Sequence, residues 1–336
     1  MTEIQDEQKG ISVKAGSPWF CNSILCGDAL KQLSRLPSES IDCCITSPPY
    51  YGLRDYDVEG QIGLEKTPHE YIRRLVDIFQ EVFRVLKKDG TVWLNLADSY
   101  GSCGGDTYSP KETGLRPKNL LGIPWRVALA LQENGWYLRQ DIIWAKGISG
   151  EACAYGWSGN SMPESVRDRC TKSHEYIFLL SKNSRYYYDY ESMQEPIQSR
   201  YKQSDAARSF KRHVKEPPRP GQTYSQHRTD RKESGERRLF RNRRSVWTVS
   251  VRPCKEAHFA VFPEQLIEPC VLAGCPEKGI VLDPFMGSGT TACVAKRLRR
   301  NYVGIELSPE YVEIAKKRLG CRLQECPKNK ERRNKQ

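Results

Sequence analysis

Ile45-Thr46-Ser47-Pro48-Pro49-Tyr50 closes the largely apolar run Ile41 to Ile45. That run has the length of a short buried strand, and the two prolines end it abruptly. They fix φ and remove two backbone N–H donors, so the carbonyls of Ser47 and Pro48 are held rigid with fewer local partners. A hydroxyl, fixed carbonyl acceptors and an aromatic ring thereby gather at the carboxyl end of a strand. Such a set grips a planar group carrying an –NH2: the oxygens accept its hydrogens while the ring stacks on its face. The same residues also make a plain proline-stiffened turn, and the tetrad alone does not separate the two readings.

A second stretch bears on that choice. Asp283-Pro284-Phe285-Met286-Gly287-Ser288-Gly289-Thr290-Thr291 lies between the apolar Ile280-Val281-Leu282 and a helical pattern running from Thr290 to Leu298. Gly287 and Gly289 let the chain turn tightly and approach a ligand, with helix N–H groups nearby. The next strand, Tyr302 to Glu306, ends in an acid about twenty residues on, where a carboxylate suits both hydroxyls of a ribose. A G-x-G alone can also serve only to pack a helix on a strand, and the missing third glycine argues against NAD. A nucleotide-type βαβ unit near the C-terminus and the tetrad strand near the N-terminus make sense if both ends join one sheet. The expected fold is α/β: a circularly rearranged, doubly wound sheet with helices on both faces and both sites at the carboxyl ends of its strands.

Between these landmarks, Ser23 to Cys26 reads as a strand, and Asp28 leads into a helical stretch that it is suited to cap. Tyr71 to Leu86 has helical spacing and reaches a stop at Asp89-Gly90. Thr91 to Leu96, Tyr137 to Trp144 and Glu175 to Leu180 read as strands, Ile123 to Gln132 as a helix opened by Pro124, and Glu264 to Leu272 as another helix. Gly101 to Leu115 reads as a loop and Lys146 to Thr171 as irregular. His174 and His258 are expected to be hydrogen-bonded structural residues.

Charge divides the chain further. The net charge is +12, yet residues 196–245 hold fifteen Lys/Arg against five Asp/Glu, and residues 316–336 hold nine against two. The remainder is therefore net negative, and basicity concentrated in two segments fits a polyanion touched at defined places. The expected organisation is a flexible N-terminus (1–18), a catalytic half (19–195), a basic insertion (196–245), a cofactor-binding half (246–320) and a basic tail (321–336). The thirteen cysteines are odd in number and scattered, as expected of reduced thiols used as small hydrophobes. No metal site is expected. No apolar run of eighteen residues and no signal-like start occurs, so the expectation is a cytoplasmic protein with no membrane association.

The tetrad together with Asp283-Pro284-Phe285-x-Gly287-x-Gly289 resembles the amino-methyltransferases of DNA, which transfer a methyl group from S-adenosyl-L-methionine to an exocyclic nitrogen of cytosine or adenine. The order here (tetrad, basic insertion, glycine motif) is similar to their β arrangement, and the resemblance covers roughly residues 20–320. It implies a Rossmann-like methyltransferase sheet whose basic insertion recognises the target, double-stranded DNA as partner, and a possible cognate restriction endonuclease acting separately. It implies that Ser47, Pro48, Pro49 and Tyr50 are catalytic. It implies that Asp28, Phe262, Asp283, Phe285, Gly287, Gly289, Thr290 and Glu306 bind the cofactor, with Glu306 on the ribose, Asp28 near the adenine ring and Phe262 towards the methionine moiety. The form Thr46-Ser47-Pro48-Pro49-Tyr50 is more typical of the N4-cytosine enzymes, and Asp or Asn at the position of Ser47 of the N6-adenine ones.

Three rivals have weaker support. A C5-cytosine enzyme needs a cysteine nucleophile, and Pro253-Cys254 and Pro269-Cys270 precede the glycine turn where that family needs its dipeptide well after it. An RNA or protein amine methyltransferase fits the tetrad but not the basic insertion. A DNA-binding protein on an inactive methyltransferase fold would be expected to show broken motifs, and none is broken.

Overall fold

A computed structural model describes residues 18–101, 116–149, 157–159, 166–196, 240–251 and 262–321. Most of the basic block, the tail, the first seventeen residues, the loop after Gly101 and His258 lie outside the described residues. The chain divides into two compact units, one of Met1–Ser192 with Arg244–Gln336 and one of Met193–Arg243. In the second, β8 (Gln194–Pro196) pairs antiparallel with β9 (Phe240–Asn242).

The first unit begins with β1 (Ser23–Cys26), α1 (Ala29–Ser34) and β2 (Ile41–Thr46), whose six residues are all buried. Helix α2 (Pro68–Val85) starts where its sequence dictates. Thr67 and Glu70 form a reciprocal capping box and Pro68 occupies the first turn, where its missing N–H costs nothing. It buries Tyr71, Leu75, Ile78, Phe79, Val82 and Val85, one stripe at helical spacing.

The expected stop at Asp89-Gly90 is corrected, because the helix ends at Val85 and Leu86 already has extended backbone. Leu86 pairs with Ile41 and opens β3 (Leu86–Leu96), and the chain bulges until Thr91 meets Cys43. Two partners remote in sequence hold that bulge: Lys87 Nζ bonds Asp42 Oδ1 at 2.7 Å, and Lys182 Nζ bonds the Leu86 carbonyl at 2.8 Å.

Then follow α3 (Ile123–Glu133), β4 (Tyr137–Ala145), β5 (Gly147–Ser149), β6 (Trp157–Gly159) and β7 (His174–Ser181). β5 and β6 pair as a small antiparallel sheet, so part of the stretch expected to be irregular is ordered. β10 (Val246–Thr248), α4 (Glu264–Gly274), β11 (Ile280–Asp283), α5 (Thr290–Arg297), β12 (Asn301–Glu306) and α6 (Pro309–Cys321) complete the unit.

The large sheet has the order β1-β12-β11-β2-β3-β7-β4-β10, with only β7 antiparallel to its neighbours. The first strand thus lies beside the last, as the circular rearrangement requires. Side chains alternate across β3. Val92, Leu94 and Leu96 join the core with α2, while Thr91 and Trp93, with Cys43, meet α4 at Gly274. Helices therefore cover both faces. From β2 the chain passes to β3 on one side, whereas β11 and β12 run off on the other. The reversal of strand order falls between β2 and β11, where an open α/β sheet offers a crevice outside its strand ends.

Candidate active site

That crevice is where the two motifs meet. Thr46 ends β2, and its hydroxyl donates to Asp283 Oδ1 at the end of β11, 2.7 Å away. The same carboxylate accepts from Thr291 Oγ1 at 2.6 Å and from the Phe285 N–H at 3.1 Å. Burial pushes the Asp283 carboxyl up to about 6, against the downward pull of those three hydrogen bonds. Its side chain is 1% exposed, and neither it nor Gly289 lines the cavity described below. Asp283 rivets the tetrad strand to the glycine turn from behind.

The glycine turn follows at once. Gly287 donates its N–H to Glu306 Oε2 at 2.7 Å, and Ser308 N–H donates to Glu306 Oε1 at 2.8 Å. Burial raises the Glu306 carboxyl above its usual range, partly offset by these N–H groups. Gly289 has φ +84°, and a Cβ there would sit 2.8 Å from Ala315 Cβ, so this glycine serves close packing of α5 on α6. Asp28 Oδ1 accepts from the Lys31 N–H at 3.0 Å, capping α1, and the residue also lines the cavity described below.

On the other side, the tetrad is wired to residues that sequence reasoning missed. Ser47 Oγ donates to Tyr50 Oη at 3.1 Å, and Tyr50 Oη donates to Glu175 Oε2 at 2.6 Å. Asn95 Nδ2 donates to Tyr50 Oη at 2.7 Å and to Glu175 Oε2 at 2.8 Å, and it lies 3.4 Å from Ser47 Oγ. Lys146 Nζ pairs with Glu175 Oε1 at 2.5 Å. Tyr71 Oη donates to the Pro49 carbonyl at 2.8 Å and fixes the end of the diproline. Burial, then the Glu175 charge, pushes the Tyr50 phenol well up, so it remains a neutral donor.

Asn95 breaks the apolar run Val92 to Leu96, and Glu175 is 5% exposed at the start of β7. A polar group buried at such positions requires partners, and that was the available signal. His174 lines the cavity as well, and burial lowers its imidazole below the usual range.

One cavity of about 450 Å³ joins the two sides. Ser47, Pro48, Pro49 and Tyr50 line it together with Asp28, Phe262, Phe285, Gly287, Thr290 and Glu306, and so do Asn95, Lys146 and Glu175. Its size is that of pockets that enclose drug-sized ligands. A carboxylate near a glycine turn, apolar walls at Phe262, Phe285 and Met286, and the polar corner of Ser47, Tyr50 and Asn95 opposite form a lining that suits a nucleoside bearing a charged, partly apolar tail. Among the described residues, no group of three or more His, Cys, Asp or Glu is placed to hold a metal ion, and no helix is long and apolar enough to cross a membrane.

The DNA methylase family model matches residues 41–317. The type II methyltransferase M.Cfr9I of Citrobacter freundii is 45% identical over 307 residues, covering 87% of this chain and 86% of its own length. M.SmaI of Serratia marcescens is 46% identical over 311 residues, covering 88% and 90%. Of solved structures, the PvuII DNA methyltransferase (cytosine-N4-specific) superposes with a TM-score of 0.58 at 20% identity, over 88% of this chain and 85% of its own. TTHA0409 of Thermus thermophilus, in complex with S-adenosyl-L-methionine, does so with 0.53 at 22%, over 89% and 93%.

Sheet order and twin motifs thus define a Rossmann-like methyltransferase fold. The chain belongs to the DNA methylase family of N4/N6 amino-methyltransferases and is a DNA methyltransferase. The methyl donor of this family is S-adenosyl-L-methionine.

Proposed function

We propose that the protein methylates the exocyclic N4 amine of cytosine in double-stranded DNA, acting on a base swung out of the helix. The observation that carries this reading is that the tetrad and the glycine turn with Glu306 line one cavity. The Ser47 form of the tetrad favours cytosine. S-adenosyl-L-methionine, when bound, supplies a methyl group made electrophilic by its sulfonium. Glu306 would hold its ribose hydroxyls, with Gly287, Phe285 and Thr290 around it, Asp28 at the adenine edge and Phe262 towards the methionine end. Asp283 and Gly289 act from behind, by fixing the turn.

The amine's lone pair is delocalised into the ring, so it is a poor nucleophile until its hydrogens are engaged. Ser47 Oγ and the Pro48 carbonyl accept those hydrogens and aim the lone pair for in-line displacement, and the nitrogen, once methylated, gives up one of its two hydrogens to solvent as a proton. Tyr50 stacks on the extruded base, because the amine is out of reach inside the duplex. The basic stretch 196–245 reads the target sequence. The type II designation of the relatives extends the reading to a separate restriction endonuclease, and a DNA substrate fits a cytoplasmic protein.

Plasmid DNA incubated with the purified chain and S-adenosyl-L-methionine, then digested to nucleosides for mass spectrometry, should yield N4-methylcytosine. N6-methyladenine would move the assignment to the adenine branch. Ser47→Ala should slow transfer about 10²-fold or more with cofactor affinity unchanged, and a wild-type rate would remove Ser47 from the reaction.

A further inference from the structure

The tetrad's hydroxyl must accept hydrogens from the substrate amine, yet a serine hydroxyl can donate as readily as accept. What fixes its direction is Glu175. Its carboxylate, paired through Oε1 with Lys146 Nζ, is an acceptor only. Tyr50 therefore gives its single hydroxyl hydrogen to Oε2. With that hydrogen committed, the Tyr50 oxygen can only accept, and it takes the Ser47 hydroxyl hydrogen and an Asn95 Nδ2 hydrogen. Ser47 has then used its only hydrogen, and only lone pairs remain to face the cavity. Asn95 is oriented by the same carboxylate. Its Nδ2 is drawn to Glu175, which leaves Asn95 Oδ1 buried with no hydrogen-bond partner among the described residues.

The geometry points to Glu175 as a positioning residue for methyl transfer: it polarises the chain Ser47–Tyr50–Glu175 so that Ser47 meets the substrate amine as an acceptor. This rests on the reading above that Ser47 grips the amine. It also accounts for a largely buried ion pair on the cavity wall, where an apolar pair of similar volume often holds a fold as well.

Glu175→Gln reverses the chain. Lys146 keeps the amide oxygen, so the amide NH2 turns towards Tyr50 and Asn95. Tyr50 must then accept from the amide and give its hydrogen to Ser47, whose own hydrogen turns to the substrate, donor against donor.

The experiment is single-turnover methylation of plasmid DNA by the full chain, with S-adenosyl-L-methionine affinity measured by calorimetry. Glu175→Gln and Tyr50→Phe should each slow transfer about 100-fold with cofactor affinity held within about twofold. In the Tyr50→Phe background the path is already cut, so adding Glu175→Gln should cost no more than about twofold further. Losses that multiply to about 10⁴-fold would overturn the inference, because independent structural damage adds in that way. A wild-type rate for Glu175→Gln or for Tyr50→Phe would overturn it too.

If Glu175→Gln loses its cofactor affinity, Tyr50→Phe decides alone, since it removes one oxygen and leaves the Glu175–Lys146 pair in place. A 100-fold loss then supports the inference and a wild-type rate overturns it. Ser47→Ala separates the two levels. If it is inactive while Glu175→Gln is not, the site reading stands and this inference falls, whereas a wild-type rate for Ser47→Ala removes the site reading itself.

Discussion

Replacing Asp283 with Asn should flatten the pH dependence of stability. Asp283 is fully enclosed, and its carboxyl lies at about 6 in the folded protein against 3.8 for the free group. The native state therefore holds this proton more tightly than the unfolded chain does. The stability that the protonated form contributes is complete below pH ~3.8 and is lost as pH rises through ~6. At ~1.4 kcal/mol per pKa unit, the loss totals about 3 kcal/mol, roughly half of it between pH 5 and pH 7.5.

The amide introduced by Asp283→Asn would keep the acceptor for the Phe285 N–H, and its NH2 can donate to a threonine hydroxyl that rotates to accept. It cannot ionise. Urea unfolding of both forms at pH 5 and pH 7.5 reads the difference. The wild type should lose about 1–2 kcal/mol more than Asp283→Asn over that interval. Glu306 contributes in the same direction, since burial raises its carboxyl too, but it is present in both proteins and cancels. Parallel pH slopes for the two proteins would refute the argument.

The two glycines of the turn should respond differently to alanine. Gly289→Ala combines a left-handed backbone with a Cβ 2.8 Å from Ala315 Cβ, and should cost about 2–4 kcal/mol, read as a drop in midpoint on thermal unfolding. Gly287→Ala meets open space at φ +53° and should cost about 1–2 kcal/mol; equal losses would discount the contact with α6. Glu306→Gln leaves one of the Gly287 and Ser308 N–H groups without its charged acceptor and should weaken S-adenosyl-L-methionine binding about 10–100-fold by calorimetry, with folding intact.

The parts of this molecule legible in its sequence are those whose constraint is local. Proline and glycine restrict the backbone wherever they stand, so Pro48-Pro49 and Gly287-x-Gly289 announced their turns without any knowledge of partners. The stripe from Tyr71 to Val82 announced α2 in the same way, through its 3.6-residue period. The end of that helix was not legible, because Leu86 leaves it to pair with Ile41, and Lys182 holds the Leu86 carbonyl from 96 residues away. Glu175 was missed for a similar reason. It is one acid in the strand-like His174-Glu175-Tyr176-Ile177, and its meaning lies in Tyr50, 125 residues distant.

Gly289 shows the converse. Its place in a recognisable motif pointed to the cofactor, but its Cβ position is filled by α6 and the residue does not line the cavity, so what the structure shows of it is packing. A motif fixes where the backbone bends; only the packed neighbours decide which of its residues face the ligand.

The circular rearrangement also ties the cavity to the closure of the sheet. Tetrad and glycine-turn residues come from opposite ends of the chain, and neither half of the cavity is complete alone. Thr46 and Asp283, 237 residues apart, make the bond that joins them. Arg318 on the last helix adds a second tie, donating from Nη1 to the Ser288 carbonyl and hydroxyl at 2.7 Å each and to Thr290 Oγ1 at 3.2 Å. The glycine turn is thus clamped from β2 on one side and α6 on the other. Closing a loop this long costs little more entropy than closing one half its length, since the cost grows only with the logarithm of length. The order of motifs along the chain is therefore nearly free to vary, while their adjacency in the sheet is not. A substitution that loosens β11 from β2 should lower stability and transfer rate together, whereas Tyr50→Phe, which leaves the Glu175–Lys146 pair in place, should act mainly on the rate.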